Sequence, residues 1–270
     1  MTVEMWGVDF SSAPSAKKPI VVARGVLAGS VLRLQRVDLL PRLADFEALL
    51  GAPEPWLGAF DFPFGLPRAF VQAQGLGDTA LAVSTALHAC CGTRMEFRAL
   101  VDAFGNTRPA GQRLLHRATD GAMPGISSTS PLQTRYVPVG FMYYEGFSRL
   151  LAAGVHLPAL HDGDTARTAL EGYPGLLAHE LIGHRSYKND ASSERLLARK
   201  DIVEALEQGR TRLKLRLKLT PAQAGALVAD ASGDRLDAVL CMAQAAWAST
   251  QPRWGQPKHV DAVEGWITTA

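Results

Sequence analysis

The pattern of hydrophobic and polar positions predicts strands and helices that alternate along the chain. Apolar or alternating runs predict strands at 3–10, 20–25, 31–37, 56–61 and 166–173. Helical spacing and capping residues predict helices at 41–50, 176–182, 192–208, 221–231 and 234–250. From the N-terminus to Phe62 the order is β-β-β-α-β, which is typical of an α/β domain.

Residues 68–160 differ from the flanking sequence, because a largely helical pattern replaces the strands. We interpret the chain as one domain, 1–270, that carries 68–160 as a helical insertion against the sheet. Arginines recur in this segment, among them Arg68, Arg94, Arg98, Arg108, Arg113, Arg117 and Arg135. Each is interpreted either as part of a solvated helix face or as a contact for a substrate phosphate.

A single acidic residue stands at the end of one buried strand. The run from Trp56 to Phe60 is apolar, and Asp61 follows it, before Pro63 and Pro67. Neither proline can donate to a sheet ladder, so the strand must end close to Asp61. Open α/β sheets bind their ligands at the carboxyl ends of strands. Asp61 is therefore either a ligand-binding carboxylate or the cap of a turn.

Asp9 and Asp237 share the setting of Asp61, since each is an acid in an otherwise apolar stretch near the end of an element. Asp234 and Glu171 form a second group of candidates. Asp234 and Asp237 fall in the first turn of the last predicted helix, where capping alone would also explain them. Acids brought together repel one another unless a cation lies between them. Mg²⁺ or Mn²⁺ suits this role, and two such ions about 3.5–4 Å apart promote phosphodiester hydrolysis.

Composition and charge define a class of protein without identifying a partner. Of the 270 residues, 47% are hydrophobic and 20% are charged, and the formal net charge is +2. This mild positive charge neither requires nor excludes nucleic acid. The N-terminus lacks the pattern of a secretory signal, and no apolar run is long enough to span a membrane. Three cysteines, two of them adjacent, predict no disulfide framework, so we expect a cytoplasmic protein without a membrane partner.

Several motifs resemble the DUF429 family, whose members are regarded as predicted nucleases of the ribonuclease H-like superfamily. They extend from the first strand to the C-terminus: Gly7-Val-Asp9-Phe-Ser-Ser, Gly58-Ala-Phe-Asp61-Phe-Pro-Phe-Gly-Leu-Pro67, Glu171-Gly-Tyr-Pro174, Tyr187-Lys188, Asp234-Arg-Leu-Asp237-Ala and Glu264-Gly-Trp-Ile267. The match is least distinct in 68–160. The motif Asp-x-x-Asp-Ala also resembles the last helix of RuvC-type junction resolvases in the same superfamily.

The resemblance implies a ribonuclease H-like mixed five-stranded sheet in the order 3-2-1-4-5, flanked by helices, with the strands of Asp9 and Asp61 side by side. It implies that Asp9, Asp61 and Asp237 bind Mg²⁺ or Mn²⁺, with Asp234 or Glu171 as a fourth acid. Glu171 and Lys188 join the three aspartates as candidate catalytic residues. Further candidates for contact with the substrate are Ser11, Ser12, Arg68, Arg185 and Tyr187.

We expect a metal-dependent nuclease that hydrolyses a phosphodiester bond of nucleic acid. One alternative is an actin-like ATP-dependent kinase, because Asp9-Phe-Ser-Ser partly resembles a phosphate loop, although the second, glycine-rich loop of such kinases is absent from the sequence. The other is a nucleic-acid-binding protein that retained this fold without turnover. The choice among DNA, RNA and a smaller phosphoester is left open, as is the oligomeric state, a homodimer included.

Overall fold

The computed structural model describes residues 3–122 and 128–270, so 123–127 of the predicted insertion lie outside the described residues. The strands are β1 (Glu4–Asp9), β2 (Ile20–Ala28), β3 (Val31–Leu40), β4 (Trp56–Phe60), β5 (Val155–His156), β6 (Asp164–Glu171) and β7 (Arg216–Lys218). The α-helices are α1 (Leu43–Leu50), α2 (Arg68–Gln74), α3 (Ala80–Cys90), α4 (Arg94–Asn106), α5 (Val139–Ala152), α6 (Pro174–Ile182), α7 (Ser193–Gln208), α8 (Pro221–Ala229) and α9 (Asp234–Ala248). The mixed α/β class predicted from the sequence is confirmed.

One mixed sheet joins the seven strands of the described ranges in the order β5-β6-β4-β1-β2-β3-β7. β1, β4 and β6 are parallel neighbours, whereas β2 runs antiparallel to both β1 and β3. The prediction of five strands in the order 3-2-1-4-5 was wrong, because β5 and β7 extend the two edges of the sheet. These strands are two and three residues long, which is too short for a recognisable alternation of polar and apolar positions. The expected pairing of β1 with β4 is present.

Helices cover both faces of the sheet, because successive side chains of a strand point to opposite faces. Trp6 and Val8 of β1 pack with residues of α1 to α5 in one hydrophobic core. Met5 of the same strand packs with residues of α6 to α9 in a second core. The described part of 68–160 holds four α-helices, α2 to α5, and also the short strand β5. That this segment is an insertion stays a prediction.

Helix α9 packs against β1 at very close range, and Gly7 permits this contact. A Cβ atom at Gly7 would lie 1.9 Å from the carbonyl oxygen of Ala238 and 2.1 Å from the backbone nitrogen of Met242. Glycine alone therefore leaves room for the helix backbone at this point. The close packing brings the first turn of α9, with Asp237, towards the end of β1, with Asp9.

None of the helices in the two described ranges combines the length and the apolar character that a bilayer-spanning helix needs.

Candidate metal centre

Three carboxylates from separate elements meet at the carboxyl ends of the central strands. Asp9 is the last residue of β1, Asp61 follows the last residue of β4, and Asp237 lies in the first turn of α9. One carboxylate oxygen of each aspartate lies within 4.8 Å of the other two. Strand register explains the first pair, since Phe60 of β4 pairs with Val8 of β1. The backbone N–H of Asp61 then donates to the Val8 carbonyl oxygen at 2.8 Å, which brings Asp61 beside Asp9.

Burial and mutual repulsion oppose ionisation of this cluster. The pKa of Asp9 is raised well above its ordinary value, first by burial and then by the charges of Asp61 and Asp234. Burial also raises the pKa of Asp61, to about 6. Lys188 lowers the pKa of Asp61, whereas Glu171 and Asp234 raise it. Without a further cation, the cluster therefore retains protons at a higher pH than exposed aspartates do.

Asp237 is held by two residues of the loop that follows α6. Its side chain is fully buried, and the Tyr187 hydroxyl donates to its Oδ1 at 2.6 Å. The Lys188 ammonium forms an ion pair with Oδ2 of the same carboxylate. Burial, and after it the charges of Asp61 and Asp9, raises the pKa of Tyr187, so the phenol remains a hydrogen-bond donor. These contacts fix the orientation of Asp237.

The loop that carries Tyr187 and Lys188 is anchored by a buried arginine. The guanidinium of Arg199 on α7 donates to the carbonyl oxygens of Tyr187, at 2.8 Å, and of Asp190, at 3.2 Å. Gly233, which caps α9 with a φ of 82°, packs on the same loop. A Cβ atom at Gly233 would lie 2.9 Å from Cγ of Lys188. The loop that carries Lys188 and the first turn of α9 therefore pack tightly against each other.

Glu171 lies outside the cluster, because a buried arginine binds its carboxylate. Arg117 Nη2 lies 2.5 Å from Oε1 and Nη1 lies 2.8 Å from Oε2. The backbone N–H of Phe64 donates to Oε2 at 2.9 Å. Arg117 also pairs with Asp120, with 2.8 Å between Nη2 and Oδ1. Glu171 reaches the cluster through its charge, which raises the pKa of Asp61, and we leave it out of the ligand set.

Asp234 is half-buried at the first residue of α9, next to the three aspartates but outside the group whose oxygens meet. Its charge raises the pKa of both Asp9 and Asp61. Asp234 is therefore a better candidate than Glu171 for a fourth acid near a bound cation.

The other residues predicted to contact the substrate either form ion pairs with other residues or are buried. Arg68 forms a bidentate ion pair with Asp261, in which both N–O distances are 2.6 Å. Arg185 forms an exposed ion pair with an aspartate of α7 at 2.8 Å. Ser11 and Ser12 follow β1 directly and are buried. Of the predicted substrate contacts, the structure thus brings Tyr187 to the carboxylates through Asp237, as it does the candidate catalytic residue Lys188.

A cavity of about 180 Å³ opens beside the cluster. Asp61 and Lys188 line it together with Tyr173, and the apolar side chains of Val137 and Met142 also line it. Sequence reasoning quoted Tyr173 within a motif but did not identify it as a site residue. Burial and the charge of Asp61 raise the pKa of Tyr173, so its phenol is neutral in this cavity.

Arg199 and Arg117 are the main supporting residues that the sequence did not identify. A single arginine in a helix is usually solvated, and no local spacing marks Arg199 as buried. Arg117 stands among the recurring arginines of 68–160, while its partner Glu171 lies on β6. Neither position carries a sequence signal that distinguishes it from surface arginines.

The donor set suits a hard divalent cation. Carboxylate oxygens are the ligands that Mg²⁺ and Mn²⁺ prefer, and three of them meet here. Lys188 places one positive charge against three negative charges, so the ionised cluster keeps an excess of negative charge. Asp9, Asp61 and Asp237 could therefore hold a metal ion, which would relieve the repulsion that, after burial, raises the pKa values of Asp9 and Asp61.

No family model, curated protein or solved structure matched the chain in the comparisons with known proteins. The resemblance to the DUF429 family stays a prediction.

Proposed function

We propose that the protein is a metal-dependent phosphodiester hydrolase, a nuclease, with a Mg²⁺ or Mn²⁺ site built from Asp9, Asp61 and Asp237. The observation that carries this proposal is the approach of one oxygen from each carboxylate to within 4.8 Å of the other two. We further propose a ribonuclease H-like fold. The antiparallel unit of β1, β2 and β3, followed by the parallel strands β4 and β6, supports that assignment.

Each residue has a separate task in this proposal. A bound divalent ion supplies Lewis-acid stabilisation of charge on the phosphate and lowers the pKa of water. Asp9 and Asp61 provide ligands from rigid strand ends, and Asp237 provides a third from the helix. Tyr187 keeps Asp237 in one orientation through its hydrogen bond of 2.6 Å. Arg199 acts as a positioning residue, because it holds the loop backbone rather than the reacting groups.

Lys188 serves both the carboxylates and the substrate in the proposed site. Its ammonium pairs with Asp237, and its charge lowers the pKa of both Asp9 and Asp61. The side chain is 33% exposed and lines the cavity, so it remains accessible to a ligand. A phosphate entering there would meet the ammonium as a point charge.

The test is a cleavage panel with Mn²⁺ on single-stranded, duplex and branched DNA and RNA, together with bis(4-nitrophenyl) phosphate. We expect wild-type protein to cleave at least one substrate, and Asp9→Asn to lose at least about 100-fold in rate. Asp162→Asn is the matched control, because Asp162 is an exposed aspartate outside the cluster. It should cleave like wild type.

Three results would contradict the proposal. Unchanged cleavage by Asp9→Asn would remove the carboxylate cluster from the reaction. Binding of nucleic acid without cleavage of any substrate would favour the non-enzymatic alternative instead. Calorimetric binding of ATP with Mg²⁺, in the absence of cleavage, would favour the kinase alternative.

A further inference from the structure

Tyr136 is the most exposed large hydrophobic side chain among the described residues, and it directly precedes Val137, which lines the cavity beside the candidate site. It is 99% exposed, and its backbone has a φ of 61°, in the left-handed region that tyrosine rarely adopts. This conformation costs on the order of 1 kcal/mol or more, and exposure of the ring recovers no burial energy. Folding alone therefore gives no reason for an aromatic residue here.

The two residues that precede Tyr136 are both anchored to α4. Arg135 forms a two-point ion pair with Asp102 of α4, at 2.6 and 2.7 Å. The carbonyl oxygen of Thr134 accepts from Arg98 Nη2 at 2.6 Å. The exposed ring is thus carried by an anchored backbone, so a ligand would not have to order it from a flexible loop.

Tyr136 and Val137 connect two cavities. Val137 is 59% exposed and lines the cavity that contains Asp61 and Lys188. Tyr136 lines a second cavity of about 250 Å³, together with Arg113 and polar groups of 133–135. Arg113 is exposed and, within the part of the chain that the structure describes, forms no ion pair. Two consecutive residues of one turn therefore place a surface that includes an exposed aromatic ring and the Arg113 cation next to the cavity of Asp61 and Lys188.

We propose that this surface, Val137–Tyr136–Arg113, binds single-stranded nucleic acid next to the phosphodiester that is cleaved. The inference rests on the proposed function, and it assigns the substrate class. Tyr136 stacks on an unpaired base, and Arg113 contacts a backbone phosphate. Stacking of this kind needs a base whose face is free, which a single strand offers and the interior of a duplex does not.

The test measures binding in the Asp9→Asn full-length protein with Mg²⁺, so that binding is observed without cleavage. The probes are a fluorescent oligothymidylate of about 12 nucleotides, an abasic strand of equal length and a duplex. Tyr136→Ala should weaken oligothymidylate binding about 5- to 150-fold, since stacking is worth about 1–3 kcal/mol per base. Tyr136→Phe should bind like the parent, because the ring stacks without its hydroxyl.

The abasic strand separates stacking from charge. Tyr136→Ala should leave abasic binding unchanged, whereas Arg113→Gln should weaken both strands alike and reduce the log–log salt slope by about 0.7. Leu197→Ala, an exposed apolar position on α7 in the other helical layer, is the surface control and should change nothing.

Equal oligothymidylate binding by Tyr136→Ala and its parent would overturn the inference. An equal loss of duplex binding by Tyr136→Ala would also overturn it, because the surface would then not require unpaired bases. Failure of the parent protein to bind the single strand would overturn it as well. None of these results decides the proposed function, which is tested separately by cleavage of bis(4-nitrophenyl) phosphate by the wild-type protein. Thermal unfolding of each variant should match the parent closely, since both positions are exposed.

Discussion

Asp61→Asn should stabilise the metal-free protein at neutral pH, because it removes a charge that the fold disfavours. Asn has nearly the same shape as Asp but carries no charge. The carboxyl of Asp61 has a pKa of about 6 in the folded protein, against an ordinary value of 3.8, and burial is the main cause. The folded state therefore binds more protons than the unfolded state between these two values, and wild-type stability falls as the pH rises through this window.

The magnitude follows from the shift in the Asp61 pKa. A rise of about two units corresponds to about 3 kcal/mol of unfolding free energy once the pH is well above 6. For a chain of this size that is a gain of about 6–12 °C in melting temperature. Near pH 4 the carboxyl is protonated in the folded state and about 40% protonated in the unfolded state, so most of the difference is lost and wild type and Asp61→Asn should melt within about 2 °C of each other.

The assay is thermal unfolding in EDTA from pH 4 to pH 8, repeated with Mg²⁺ or Mn²⁺ in excess. The advantage of Asp61→Asn should grow between pH 4 and pH 6 and then level off. With metal the order should reverse, since a ligand at about 1,000 times its Kd adds about 4.1 kcal/mol to the protein that binds it, which exceeds the advantage of about 3 kcal/mol. Asp162→Asn, the exposed control, should follow wild type under both conditions.

A difference between Asp61→Asn and wild type that does not change with pH would refute the electrostatic reasoning, because a packing effect has no such dependence. Lower stability of the metal-free variant at pH 7 would refute it directly. It would show that the Asp61 carboxylate is already satisfied within the protein, without a metal ion.

Three further predictions test the elements around the cluster. Lys188→Met should bind Mn²⁺ more tightly, as measured by calorimetry, because the ammonium that competes with the metal is gone. The same variant should cleave the substrate more slowly. Weaker Mn²⁺ binding would contradict the role of Lys188 as an internal cation. Gly7→Ala should lower the free energy of unfolding, measured in urea, by more than about 3 kcal/mol, since its Cβ would lie 1.9 Å from a carbonyl oxygen of α9. It should also weaken metal binding. Gly225→Ala on α8, where nothing lies within 4 Å, is its control and should gain about 0.5–1 kcal/mol. Arg117→Met should lower the free energy of unfolding by about 3–5 kcal/mol at pH 7 and by less at pH 5, because it leaves Glu171 and Asp120 buried without a counter-charge. An equal loss at both pH values would contradict this reason.

The sequence predicted the central strands because each signal was local, whereas the meeting of Asp9, Asp61 and Asp237 was implied by the resemblance to the DUF429 family. Asp61 ends an apolar run that prolines terminate, and Asp237 follows a predicted helix start, so each acid marks the end of an element. Parallel strands then bring such ends to one edge of the sheet.

Glu171 shows where local signals fail. It ends a strand before glycine and proline, much as Asp61 does, and was therefore grouped with the metal ligands. Its environment is decided by Arg117, which lies 54 positions away in the sequence. No spacing rule relates two such positions, so only the fold shows that this carboxylate is already paired. The same limit applies to Arg199 and to the two short edge strands.

The most direct test of the central claim is a crystal structure of the protein with Mn²⁺, examined by the anomalous scattering of the metal. The account predicts a peak among Asp9, Asp61 and Asp237, with carboxylate oxygens about 2.0–2.4 Å from it. A fully occupied Mn²⁺ site elsewhere, with the three carboxylates and Lys188 unchanged and no peak between them, would contradict the account.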